Sequence, residues 1–279
     1  MINRWVVRRR IHAALLYVLL TIAAIVVFFP VYYAIVTSLF TAPETVQYPP
    51  KFFTAKPYWS SYSEALRRAP VFVFIRNSFI VSLAVTFGQL FTSSLAAYSF
   101  SFLEFWGRDA FFYVILSTMM IPWEVTLVPN YMLMSKLGWT DSYMGLIVPF
   151  LADAFGVFLL RQWFLTIPRE LKDAASIDGC TDFGFFGRIV IPLARPALGT
   201  LGVRRFLTVY NQYLWPLLIT NSDTKRTIQI GLAMLQWDEA VAWNSTMAGV
   251  VMAFIPTTIV LLLGYKQLVS GLTTGAIKG

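Results

Sequence analysis

The sequence predicts an all-α, polytopic membrane protein with six transmembrane helices, and three observations predict it. Hydrophobic residues make up 57% of the chain and charged residues only 13%, against about 25% charged in ordinary soluble domains. The apolar residues gather into runs of about 20 or more, the length a helix needs to cross ~30 Å of hydrocarbon. The single cysteine, Cys180, excludes an internal disulfide, so helix packing must hold the fold together.

The first apolar run follows the basic stretch MINRWVVRRR and covers about 12–37. It is too long for a signal-peptide core of about 7–15 residues and lacks a small-residue cleavage site, so it reads as an uncleaved span. Further spans fall at about 75–98, 109–131, 142–164, 193–219 and 246–269. Six spans place both termini on one side of the membrane. Arg4, Arg8, Arg9 and Arg10 mark that side as cytoplasmic, because flanks rich in Lys and Arg resist translocation. Arg108, Arg161, Arg169, Lys172, Arg188, Arg195, Lys266 and Lys278 then fall on the same side; Lys51, Lys56, Arg67, Arg68, Lys136, Lys225 and Arg226 fall on the other. The net charge of +8 is spread between apolar runs, which fits topology-setting charge and not a nucleic-acid surface.

The first external loop, about 39–73, is rich in proline and aromatic residues and predicts a short interfacial helix from Tyr58 to Arg68. The last external loop, about 220–245, contains TIQIGLAMLQWDEAVAW, which suits a second one. The longest cytoplasmic connection, about 165–192, reads LTIPRELKDAASIDGCTDFGFFGRIVIP. Pro168 suits the first turn of a helix and Gly179 the left-handed residue just past its end, predicting a helix over about 168–178. Leu171, Ala174, Ala175 and Asp178 share one mostly small face, which lets a partner approach closely. Thr181 then caps a second short helix through Phe183, Phe186 and Ile189, before Pro192 and Pro196 lead into the fifth span.

DAASIDGCTDFGFFGRIVIPLARP resembles the EAA loop of ABC importer permeases. Asp173, Ala174, Ala175, Asp178, Gly179, Phe186, Ile189, Pro192, Leu193 and Pro196 fall in register with that pattern, while Asp173 replaces the usual Glu and Cys180 the usual Ala. SLAAYSF, IPWEVTLVPNY, FLLRQWF, NQYLWPLLIT and the terminal GLTTGAIKG extend the resemblance to the branch holding the maltose-type second permease and the glycerol-3-phosphate permease. The resemblance implies a single permease domain over 1–279 with the type I ABC importer fold, in a bacterial cytoplasmic (inner) membrane. It also implies a heterodimer with a homologous permease, a cytoplasmic ABC ATPase dimer that binds the ATP and Mg, and an extracytoplasmic substrate-binding protein. No cofactor or metal is implied for this chain itself. The loop around 168–186 is expected to dock into the ATPase, the C-terminal tail to reach it too, and the cargo to be a sugar, oligosaccharide, polyol or glycerol phosphate.

Polar residues within spans are the candidates for the pathway, because ionisable groups at membrane depth tend to face a bundle interior or a watery cavity. They are Glu124 and Asn130 beside Pro122 and Pro129, Asp153 in the fourth span, and Asn211 and Gln212 in the fifth. The same residues also suit interhelical hydrogen bonding. Arg204 and Arg205 stand where the resembled permeases usually carry apolar residues. Two readings stay open: the arginines snorkel to the inner surface, or Arg204, Thr208, Asn211 and Trp215 form a polar stripe where a cation meets a phosphate or carboxylate on the substrate.

An enzyme is disfavoured. The one histidine, His12, sits beside the basic N-terminal run, there is no Cys/His metal spacing, and no G-x-x-x-x-G-K-[ST] loop is present. The chain therefore reads as a non-catalytic subunit, with an ion-gradient-driven secondary transporter or channel as the alternative.

Overall fold

The computed structural model describes residues 4–236 and 242–274, with side chains over 11–236 and 242–267. The arginines at 4, 8, 9 and 10, Lys278, the end of the C-terminal tail and part of the 220–245 loop lie outside the described residues or side chains. The helices in chain order are α1 (Arg4–Thr37), α2 (Ala42–Thr45), α3 (Ser60–Arg68), α4 (Val71–Phe102), α5 (Arg108–Ser117), α6 (Trp123–Lys136), α7 (Tyr143–Ile147) and α8 (Ala154–Phe164). They continue with α9 (Glu170–Ile177), α10 (Asp182–Phe185), α11 (Ile191–Leu193), α12 (Arg195–Tyr210), α13 (Leu214–Ile219), α14 (Ile228–Met234) and α15 (Trp243–Thr274).

Two compact units form. The first takes residues 1–69 and 232–252. In it α1 presents an apolar stretch from Ile11 to Thr37, no part of whose most apolar window is buried. The interfacial helix predicted from Tyr58 is α3, and it is tied to the start of α15 by Asn244 donating to Ser61 (3.1 Å) and Ser245 to Glu64 (3.1 Å).

The second unit takes residues 70–231 and 253–279. Its axis is α4, a 32-residue helix, about 48 Å long at 1.5 Å per residue. Ser78, Ser82, Thr86, Gln89, Ser93 and Ala97 are buried and recur every three or four residues, a single small and polar stripe. Against it α8 and α12 pack, as expected where small residues let helix backbones close up in lipid. The approach is tightest at Gly156 of α8, where an added Cβ would lie 2.6 Å from the Ser93 hydroxyl.

Among the described residues, three helices are long and apolar enough to cross a membrane: Ile11–Thr37, Val71–Phe102 and Trp243–Gln267. Two bent pairs raise the number to five. The predicted span at 109–131 is α5 and α6 broken at Ile121–Pro122 and bent by 98°; the one at 142–164 is α7 and α8 bent by 44°. The expected continuous span at 193–219 is not formed. α12 carries Arg195, Arg204 and Arg205 and stops at Tyr210, and α13 starts at Leu214. Asn211 and Gln212 therefore sit at a helix break, not inside a helix, and Asp153 likewise caps α8 instead of lying within it.

Candidate coupling loop and transport pathway

The 165–192 loop is built by local signals. α9 spans Glu170–Ile177, two residues shorter at its start and one at its end than expected, with Pro168 just ahead of it. It ends in a Schellman arrangement: the Cys180 N–H reaches the Ala175 carbonyl (2.8 Å), the Gly179 N–H reaches that of Ser176 (3.1 Å), and Gly179 has φ +75°. The Thr181 hydroxyl caps α10 by accepting from Gly184 N–H (3.2 Å).

The small face predicted for α9 is divided. Ala175 is buried with Phe185, Val190 and Tyr98, whereas Leu171, Asp173, Ala174 and Asp178 stay exposed. Two large apolar side chains join the exposed side, Ile177 at 87% and Phe183 at 81%. Phe186, Ile189, Pro192 and Pro196 are half-buried. Phe186 and Ile189 pack into the cluster formed with α4 and α8, so they anchor the loop and do not present it. Pro192 and Pro196 sit in the first turns of α11 and α12, where a missing N–H is harmless.

The anchor is aromatic and polar together. Phe185 meets the Phe102 ring edge-to-face at 5.4 Å, and Phe186 meets Tyr98 at 5.2 Å. The Tyr98 hydroxyl donates to the Asp182 carbonyl (3.0 Å). The Lys172 ammonium donates to the Phe102 carbonyl at the end of α4 (2.6 Å) and lies 3.4 Å from Asp182. An unpaired helix-end carbonyl is thereby satisfied by the loop itself. Lys172 and Tyr98 were not singled out from the sequence, because their role depends on α4 ending beside α9.

Of the candidate pathway residues, Asp153, Asn211 and Gln212 sit at helix breaks, whereas Glu124 and Asn130 lie on α6 and Arg204, Arg205 and Thr208 on α12. Backbone freed at the breaks is met within the protein, as it must be at membrane depth. The Gln89 amide donates to the Phe150 carbonyl, the Thr92 hydroxyl to Leu151 (2.6 Å) and the Trp215 indole to Gly145 (2.9 Å). Asp153 Oδ2 accepts from Gly156 N–H (3.0 Å), and its Oδ1 faces the Arg205 guanidinium at 3.9 Å. Both side chains are largely buried, 17% exposed for Arg205 and 16% for Asp153.

Beside this pair lies a cavity of about 280 Å³ lined by Trp123, Phe150, Arg205, Thr208, Val209 and Gln212. Trp123 and Phe150 are 4.9 Å apart between ring centres, and both rings meet Trp215. The expected stripe of Arg204, Thr208, Asn211 and Trp215 is split: Arg204 lies over the Phe155 ring (4.2 Å), and the break after Tyr210 moves Trp215 onto α13, fully buried. Asn211 is exposed and accepts from Gln229 (3.2 Å). Glu124 is exposed and Asn130 half-buried on α6; neither lines the cavity. Trp123 and Phe150 went unnoticed in the sequence, since an aromatic residue beside a proline looks like ordinary span filling.

At the far end from the loop, Asp141 Oδ1 accepts from the Asn221 and Ser222 N–H groups (2.9 and 3.0 Å). The Ser222 N–H is the chief reason its carboxyl is held below the usual carboxylate range.

Bent apolar helix pairs beside a largely apolar cavity that holds one arginine, with an exposed helical elbow anchored to the same bundle, define a multi-pass membrane transport subunit. Residues 89–274 match the family described as binding-protein-dependent transport system inner membrane component, and the chain belongs to that family. It is 36% identical over 273 residues to the sn-glycerol-3-phosphate transport system permease protein UgpE of Agrobacterium fabrum, covering 95% of this chain and 97% of the relative. The protein of the same description from Brucella abortus is 37% identical over 265 residues, covering 92% and 94%. Among solved structures, a bacterial ABC transporter involved in the import of the acidic polysaccharide alginate matches with TM-score 0.82 and 25% identity, over 92% of this chain and 96% of that one. A second alginate transporter structure, in complex with an alginate pentasaccharide-bound periplasmic protein, shares the fold at TM-score 0.65. The protein is thus a multi-pass component of the inner membrane.

Proposed function

We propose that this chain is the membrane-spanning permease subunit of an ATP-driven importer for a sugar, polyol or glycerol phosphate, working by alternating access. The observation that carries this reading is the elbow at α9 and α10, which shows Ile177 and Phe183 to solvent while its other face is locked to α4. A lever of this kind transmits force when something grips its exposed side. In this reading a cytoplasmic ABC ATPase dimer does so, contacting Leu171, Asp173, Ala174, Ile177, Asp178 and Gly179. Phe186, Ile189, Pro192 and Pro196 carry the displacement into α12. ATP and Mg sit in the ATPase and not in this chain.

The relatives support the remaining parts. The UgpE proteins are named for sn-glycerol-3-phosphate transport, and the second alginate transporter was solved in complex with an alginate pentasaccharide-bound periplasmic protein. A homologous second permease completes the translocation unit, and both termini of this chain are cytoplasmic. The test is purification from membranes followed by uptake in proteoliposomes. The importer reading expects a retained ATPase and uptake that needs ATP. Uptake driven by an ion gradient without ATP would install the secondary-transporter alternative in its place.

A further inference from the structure

A buried cation faces a carboxylate that already has another task. Arg205 and Arg204 are consecutive on α12; Arg204 turns to the Phe155 ring, and among the described residues the acidic group paired with Arg205 is Asp153, whose Oδ2 is already committed to capping α8. The remaining contact, Asp153 Oδ1 to Arg205 at 3.9 Å, is long for a charge-assisted hydrogen bond, which typically runs at about 2.7–2.9 Å. Arg205 Nε is buried and has no hydrogen-bond partner. A guanidinium offers five donors in a planar fork, so most of its capacity is unspent on the side where it lines the cavity.

The location adds a second argument. Arg205 stands ten residues past the first residue of α12, about 15 Å along it, and its side chain is only 17% exposed. A cation buried to that extent is costly unless it meets an anion or water. The cavity of about 280 Å³ lies just under the ~300–1,000 Å³ typical of drug-sized ligands, which suits one small solute and not an oligosaccharide. Thr208 and Gln212 supply neutral polar groups beside Arg205, and Trp123 and Phe150 supply an apolar wall.

Resting on the importer reading, we infer that Arg205 forms an anion subsite in this cavity. It binds the phosphate or carboxylate of a small polyhydroxy solute during passage, and Asp153 holds the guanidinium in place between turnovers. Asp153 is a positioning residue here, and it competes with the solute's anion for the same fork.

The complete importer, with its partner permease, ATPase and binding protein, is reconstituted with ATP inside the vesicles. It is offered sn-glycerol 3-phosphate and glucuronate against glycerol and glucose. Uptake of at least one anion in preference to its neutral counterpart is expected. Arg205→Gln then lowers the initial rate about tenfold or more, Arg205→Lys lowers it less, and Asp153→Asn raises uptake at low substrate. Asparagine still caps α8, so the last change tests charge and not the helix. The double variant Arg205→Gln/Asp153→Asn leaves no unpaired buried charge, and its uptake stays low.

Three results overturn the inference: transport of the neutral compounds alone or of neither anion, parallel loss in Arg205→Gln and Asp153→Asn, or restoration of uptake in the double variant. ATP-dependent uptake of a neutral sugar would remove the anion subsite and leave the importer reading intact. Absence of any associated ATPase would remove both.

Discussion

The elbow at 165–192 and the helix break at 211–213 are separated by one helix, yet they are built in opposite ways. The elbow is made by neighbours in sequence: Pro168 before α9, Gly179 after it, Thr181 opening α10. The cavity beside the break is made by groups far apart in the chain: Gln89 and Thr92 hold the Phe150 and Leu151 carbonyls, Trp215 donates to Gly145, and Asp153 faces Arg205. The lesson is that the part proposed to meet the ATPase is specified locally and stands exposed. The part proposed to meet the solute exists only once α4, α8 and α12 have packed.

Substitutions at four positions probe that contrast. Gly179→Arg has the largest expected effect, complete loss of ATP-dependent uptake with normal amounts of protein in the membrane. An added Cβ at Gly179 meets nothing within 4 Å in this chain, so Gly179→Ala costs only the left-handed backbone strain, about 1–2 kcal/mol. A near-normal melting temperature for Gly179→Arg beside abolished uptake would place the whole defect at the partner. Phe185→Ala comes next. It empties a 2%-exposed aromatic position that joins the elbow to Phe102, costing about 3–5 kcal/mol, read as thermal unfolding in detergent.

Gly156→Val attacks the other region. It forces α8 away from Ser93 and is expected to cost about 1–3 kcal/mol while also shifting Asp153, so uptake falls more than stability does. The smallest effect belongs to Thr181→Ala, which removes one cap and about 1 kcal/mol. If Thr181→Ala destabilised the protein more than Phe185→Ala, the elbow would owe its position to its own caps and not to α4.

Legibility in the sequence follows the same division. α1, α4 and α15 announced themselves through unbroken apolar length, and the Schellman end of α9 through a glycine at the right offset. Breaks inside apolar runs are invisible, because Pro122 reads equally well as a kink in a continuous span and 211–213 holds no proline or glycine. For that reason Asn211, Gln212 and Asp153 were placed within helices and not at their ends. The ion pair of Asp153 with Arg205, 52 positions apart, carries no local signal; the only clue was that two arginines stood where apolar residues were expected. Ile177 and Phe183 were hidden for the converse reason, since an apolar residue in an amphipathic segment is normally assigned to the core.

The central claim is that the elbow passes ATPase motion into the membrane helices through its left-handed end. The most direct measurement is ATP-dependent uptake by the reconstituted importer carrying Gly179→Arg, alongside the amount of ATPase that co-purifies with it. The account predicts a folded, membrane-inserted protein that has lost its ATPase and transports nothing. Normal uptake by that variant would contradict it.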